Sequence, residues 1–321
     1  MEDSRSALKE EAFKQAVTLG KTLLRELGSI LLGKEQFLTL LVAALLGGGH
    51  VLIQDLPGLG KTTVAKALAG LIQGRFRRIQ GTPDLLPYDI TGVDVFNPET
   101  RSFDFKPGPI FTNILLADEL NRTTPKVQSA LLEAMAEGQV TVGLATYPLP
   151  DPFFVIATQN TVDVEGTYAL PLAQADRFML CLSIGYPDPE SEMSVYQKDP
   201  GATVPLVQPV CGVDEIVEAR RAIAQVYVDP KIHALVQRIV QATRTHPGIE
   251  LGASPRAGLM LLRSARGLAA LSGRKFVTDE DLVTLAPPVL AHRIQVRDPQ
   301  LNSKEFIREA VLHLIKEAGI P

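Results

Sequence analysis

One short run, Asp55–Thr62 (DLPGLGKT), constrains this chain more than any other feature. It joins an apolar, β-forming segment, His50–Gln54 (HVLIQ), to a helical pattern over Thr62–Ile72. Gly58 and Gly60 let successive backbone N–H groups turn inward as a nest for phosphate oxygens. The following helix adds the positive end of its dipole. In that frame Lys61 reaches the β- and γ-phosphates of a nucleoside triphosphate, and the Thr62 hydroxyl ligates Mg²⁺. The candidate nucleotide-binding residues are Asp55, Leu56, Pro57, Gly58, Leu59, Gly60, Lys61, Thr62 and Thr63. The usual motif opens with glycine where this chain has Asp55. An anion aimed at phosphates would repel them, so its carboxylate is expected to point away and to bond locally, as aspartates in turns do.

Two more apolar, strand-like runs end in polar residues. Asn113–Ala117 (NILLA) leads into Asp118 and Glu119, and Phe153–Ala157 (FFVIA) leads through Thr158 and Gln159 into Asn160. In an open α/β sheet, ligands gather at the carboxyl ends of the strands. Asp118 is therefore expected to hold Mg²⁺ through water, and Glu119 to orient or deprotonate the attacking water. Asn160 is placed to position that water by hydrogen bonding. Helical patterns cover residues 8–27, closed by Gly28, and about Lys34–Leu46 and Pro125–Glu137, with a hairpin over Gln139–Leu144 and Thr146–Pro148. Strands alternating with helices imply a parallel α/β sheet.

The composition changes near residue 187. Tyr186–Pro209 holds five prolines and reads as a linker. Beyond Val213 the pattern is helical only: about Asp214–Gln225, Pro230–Thr243, Pro255–Ser272, Thr278–Leu285 and Ser303–Glu317. The length of 321 residues suits two domains at about 150 residues each. The expected division is an N-terminal helix over 1–28, an α/β core over 29–187, a linker over 188–212 and a helical domain over 213–321.

A net charge of -4 weighs against a protein whose main task is coating nucleic acid. Two cysteines, Cys181 and Cys211, give neither a disulfide framework nor metal-type spacing. The five histidines are scattered without an HExxH pair, which weighs against zinc. Met1–Arg25 mixes acids and bases without an export signal's apolar core, and no apolar run approaches the roughly 20 residues of a membrane span. A cytoplasmic location is the expectation.

The runs DLPGLGKT, LLADELNRTTPKVQSALLEAM, VIATQN, EGTYALPLAQADRF and GASPRA, in this order, resemble the MoxR family of AAA+ ATPases. The resemblance extends from about Leu31 to Val296. It implies a P-loop AAA+ core with a parallel sheet flanked by helices, followed by a smaller all-helical lid domain. It implies Mg²⁺-dependent ATP hydrolysis. Residues 82–108 are similar to the family's insert in the second core helix, and 139–148 to the hairpin before the sensor strand. Asn160 matches sensor 1, Arg177 (in DRF) the arginine finger that reaches a neighbour's nucleotide, and Arg256 (in SPRA) sensor 2. Planar guanidinium groups suit the spread charge of a transferring phosphoryl group. The implied assembly is a homo-oligomer, a hexameric ring, acting like a chaperone on a client protein or in cofactor insertion, with a von Willebrand factor A-domain partner. The chain departs from the family at Thr161, where proline is usual, and at Ala169, Leu172 and Ala175. Arg122, just past the acidic pair, could join a subunit interface. Two other readings use the same engine: a nucleic-acid motor, disfavoured by the charge, and a nucleotide-binding scaffold without turnover, disfavoured by Glu119 and Asn160.

Overall fold

The computed structural model describes residues 2–160, 167–198, 207–298 and 303–317. Its centre is a five-stranded sheet in the order Phe76–Gln80, Ile114–Asp118, Phe154–Gln159, Val51–Gln54, Leu180–Leu182, with all neighbours parallel. The three strands expected from their apolar runs lie side by side in the middle. Side chains alternate between the two faces of a strand, and here both faces are covered. Ile114, Leu116, Phe154 and Ile156 join a core with the helices Glu35–Leu46 and Lys61–Leu71, while Leu115, Ala117, Val155 and Ala157 join one with Pro125–Glu137. Double burial is why these strands read as unbroken apolar runs.

Two sheet strands carry no such signal. Phe76–Gln80 (FRRIQ) is an edge strand in which Ile79 alone is fully buried, and Leu180–Leu182 is three residues long. Between the first two edge-side strands the chain forms a short helix, Pro87–Thr91, and an antiparallel hairpin, Gly92–Asn97 with Ser102–Pro107. A second hairpin pairs Gln139–Val142 with Ala145–Pro148. The two hairpins touch through Phe105 and Tyr147, stacked at 3.9 Å.

The first helix runs Glu2–Ile30 and so passes through Gly28, where a helix stop was expected. Nothing lies within 4 Å of where a Gly28 Cβ would stand. Glycine within a helix costs only about 1 kcal/mol relative to alanine, which the buried Leu23 and Leu27 of the preceding turn offset. The C-terminal helices are Val213–Ile223, Pro230–Thr245, Pro255–Leu271, Asp279–Leu290 and Ser303–Glu317. The fourth outruns its expected end at Leu285 and carries Pro287 and Pro288, because Val289 and Leu290 beyond them are fully buried. A two-stranded antiparallel pair, Ile249–Leu251 with Gln295–Val296, corrects the purely helical reading of this region. It is docked on the sheet domain by Arg293. That side chain is 3% exposed, pairs with Asp176 at 2.8 Å, and donates to the carbonyls of Phe178, Met179 and Val289. Among the described residues, no helix is long and apolar enough to cross a membrane.

Candidate nucleotide-binding site

Parallel register brings the carboxyl ends of the strands to one edge of the sheet. Gln54 pairs in register with Gln159, and Gln80 with Asp118. Asp55, Glu119, Asn160 and Gly81, each one residue further, rim the same edge. There the structure has a cavity of about 830 Å³, within the usual range of small-molecule sites. Its polar lining includes Lys61, Thr62, Arg78, Asp118, Glu119 and Asn160, and its apolar lining Ile30, Leu31, Leu32, Ile184 and Pro187. The apolar lining comes from two parts of the chain: the exit of the first helix, and the segment after the last sheet strand.

The glycine loop has the geometry the sequence suggested. Gly58 and Gly60 have φ of +84° and +85°, a region L-residues rarely adopt. Gly60 caps the helix Lys61–Leu71. Lys61 is 9% exposed, and its ammonium donates to the carbonyls of Asp55 (3.0 Å) and Leu56 (3.1 Å). Among the described residues no carboxylate pairs with it. A buried cation held only by neutral carbonyls, beside a nest of N–H groups, is suited to an anionic ligand.

Asp55 points away from the loop, but its bonds are mostly not local. Oδ1 accepts from the Leu56 N–H (3.0 Å), as expected of a turn. Oδ2 accepts from Ser183 Oγ (3.1 Å), the Ile184 N–H (2.6 Å) and the Gly185 N–H (2.8 Å). The expectation of local bonding is corrected here: the neighbouring strand Leu180–Leu182 ends beside Asp55 and presents free N–H groups.

The acidic pair is tightly held. Asp118 Oδ1 accepts from the fully buried Thr158 hydroxyl (2.6 Å), and Oδ2 is in a salt bridge with Arg78 (2.6 Å). Thr158 Oγ1 in turn accepts from the Glu119 N–H (2.8 Å). Glu119 has φ of +53°, a strained conformation of the kind that collects at functional sites. Its Oε2 accepts from Gln80 Nε2 (3.1 Å) and pairs with Arg122 (3.0 Å). Gly81 is required beside this pair: a Cβ there would stand 2.2 Å from the Glu119 carbonyl oxygen. The Asn160 backbone is fastened to Asn121, whose Nδ2 donates to the Asn160 carbonyl (3.2 Å).

Arg177 and Arg256 are not brought into this cavity. Arg177 donates to the Leu132 carbonyl (2.6 Å), and Arg256 is exposed at the start of the helix Pro255–Leu271. They flank one node instead. Asp176 accepts from Arg293 and also from Ser254 Oγ at 2.9 Å, so the residues before Arg177 and just before Arg256 are joined. Arg78, Gln80 and Gly81 escaped the sequence reading because they sit on the unrecognised edge strand. Their signal was a polar pair two residues apart followed by glycine, upstream of the NILLA strand. Thr161 lies outside the described residues. Cys181 and Cys211 are free and buried, and burial pushes their thiols up to about 11 and about 12.

Residues 50–180 match the ATPase family associated with various cellular activities (AAA), and residues 241–311 match the AAA lid domain. Across 94% of its length the chain is 44% identical to YeaC of Bacillus subtilis, covering 93% of that protein. It is 39% identical to Chaperone MoxR1 of Mycobacterium tuberculosis over 84% of this chain and 74% of that one. A crystallised protein of Cytophaga hutchinsonii superimposes with a TM-score of 0.87 at 36% identity, covering 98% of each chain.

Proposed function

The chain belongs to the MoxR family of AAA+ ATPases, and from that premise we propose that it binds ATP in the 830 Å³ cavity and hydrolyses it to ADP and phosphate. The observation that carries this reading is the placement of the buried Lys61, which pairs with no carboxylate among the described residues, in one cavity with Asp118, Glu119 and Asn160. The loop that Asp55 opens, Leu56 to Thr63, cradles the phosphates. The apolar walls Ile30–Leu32 and Ile184 receive the base.

The oxygen donors fit a hard cation: the Thr62 hydroxyl and the Asp118 carboxylate line the cavity beside the phosphate loop. Thr62 and Asp118 would hold Mg²⁺ there, which would supply charge neutralisation for the phosphate oxygens. Asp118 would serve it through water, using acceptor positions that Thr158 and Arg78 leave open on its carboxylate. Glu119 takes the proton of the attacking water, and Asn160 orients that water. Gln80 and Arg122 keep the Glu119 carboxylate in place until then.

Arg177 lies outside its own subunit's cavity, which supports its action on a neighbour's nucleotide. That requires a homo-oligomer, in this reading a hexameric ring. Arg256 serves as the lid's sensor. One relative is named a chaperone, and we extend that to this chain: hydrolysis drives remodelling of a client protein, or cofactor insertion, together with a von Willebrand factor A-domain partner. The boundaries proposed for the working parts are the core at 29–187 and the lid at 213–321.

The test is phosphate release from ATP with Mg²⁺ by the purified protein and by Lys61→Ala. Turnover in the wild type that disappears with nucleotide binding in Lys61→Ala supports the reading. A wild type that neither binds nor hydrolyses ATP overturns it.

A further inference from the structure

Asp55 occupies the position where a phosphate loop usually begins with glycine, and its side chain is not idle. It is 8% exposed and its carboxylate takes four hydrogen bonds. Three of the donors, on Ser183, Ile184 and Gly185, directly follow the strand Leu180–Leu182. That strand and Val51–Gln54 are neighbours in register, Val51 with Leu180 and Ile53 with Leu182. Asp55 thus closes the open ends of two adjacent strands with one carboxylate. Hydrogen bonds to a charged acceptor are about twice as strong as neutral ones.

The segment it holds is part of the cavity's apolar wall: Ile184, Gly185 and Pro187 line it. A second tie fixes the same segment: Lys34 Nζ donates to the Tyr186 carbonyl (2.6 Å). Lys34 follows Ile30–Leu32, which line the same cavity. On the other side of Asp55, Leu56 and Pro57 lead into the phosphate nest, and the Asp55 carbonyl accepts from Lys61. One residue is therefore fastened both to the phosphate loop, through Lys61, and to the cavity-lining segment after the strand Leu180–Leu182.

We infer that Asp55 is a positioning residue that sets the base-binding wall, Ile184–Pro187, relative to the phosphate loop, and so governs how much binding energy the nucleoside half of a nucleotide contributes. It does so without touching the phosphates. This inference rests on the nucleotide-binding reading of the cavity.

Two probes separate the halves. Inorganic tripolyphosphate engages the loop alone, whereas ATP engages loop and wall. Calorimetric titration of both, with Mg²⁺, is made on the full-length wild type, Asp55→Ala and Asp55→Asn. The expected result is a loss of ATP affinity of about tenfold or more in Asp55→Ala, the scale of losing hydrogen bonds to a charged group. Tripolyphosphate affinity stays within about threefold on the same scale. Asp55→Asn, which keeps one acceptor oxygen facing the two N–H groups, recovers part of the ATP loss. Equal losses for both probes would overturn the inference, because Asp55 would then act on the loop or the fold as a whole. So would a large gain for tripolyphosphate in Asp55→Asn, which would mean that the charge faces the phosphates. If Asp55→Ala does not fold, the Asp55→Asn ratio alone decides, a split supporting the inference and no split refuting it. A wild type that binds neither probe would instead refute the nucleotide-binding reading.

Discussion

His50 directly precedes the strand that delivers the phosphate loop, and its ring is wired for one protonation state. Nε2 lies 3.1 Å from the Met135 carbonyl, and Nδ1 is 3.1 Å from the Val155 N–H. The carbonyl can only accept and the N–H can only donate, so the ring is neutral with its proton on Nε2. A second proton would set Nδ1–H against the Val155 N–H. Desolvation is the leading cause that lowers its pKa from 6.5 to about 4, and Arg220 nearby pushes the same way. Phe153 and Phe154 are the ring's aromatic neighbours. Because the folded pKa is depressed, the unfolded chain binds more protons between these values, and stability falls as pH falls through that window. With 6.5 unfolded and 4 folded, linkage gives a loss of about 2 kcal/mol between pH 8 and pH 5. The perturbation is His50→Gln, which cannot titrate, and the assay is urea unfolding of both proteins at the two pH values. His292 is depressed in the same direction, chiefly by burial, but it is common to both proteins and cancels. The wild type should lose about 2 kcal/mol more than the variant on going to pH 5. Equal losses would refute the fixed neutral tautomer.

Two other outcomes follow from the site. In Gly81→Ala the new Cβ would stand 2.2 Å from the Glu119 carbonyl oxygen and 2.9 Å from that of Asp118, both backbone atoms. Displacing the acidic pair by about 1 Å should lower kcat roughly 10²-fold while calorimetry shows little change in ATP affinity. Lys61→Ala should lose nucleotide binding, and Arg177→Ala should bind ATP but hydrolyse it about 10³-fold more slowly. Mixed rings of the two should regain a fraction of the phosphate release, since an interface with Lys61 from one subunit and Arg177 from the next has every part. If mixed rings form and stay inactive, Arg177 is not a finger acting between subunits.

The features legible in the sequence share one physical property: they end strands buried on both faces. NILLA and FFVIA announce themselves as apolar runs whose residues are buried apart from the half-buried Phe153, and Asp118, Glu119 and, past Thr158 and Gln159, Asn160 follow them at the edge of the sheet. The edge strand Phe76–Gln80 has no such contrast, so Arg78 and Gln80, which hold the acidic pair, went unseen. Asp55 stands out as an exception to the motif, and its outward direction follows from charge repulsion. Its partners could not be read, because Ser183, Ile184 and Gly185 lie far along the chain and donate mainly through backbone groups that any residue has. Gly28, Pro287 and Pro288 misled in the other direction. Their local preference to stop a helix is about 1 to 3 kcal/mol, and burial of Leu27, Val289 and Leu290 outweighs it. The Asp176–Arg293 tie, which docks the lid, was likewise invisible, since each partner alone reads as a solvated surface charge.

The central claim is that this cavity hydrolyses ATP with Glu119 as the base. Glu119→Gln tests it most directly, because the substitution keeps the side chain's shape and removes its ability to accept a proton. ATP affinity and phosphate release are measured on the same preparation of variant and wild type. The account predicts ATP affinity close to that of the wild type and phosphate release slowed at least about 10²-fold, the scale of losing a general base. Near-normal phosphate release from Glu119→Gln would contradict it.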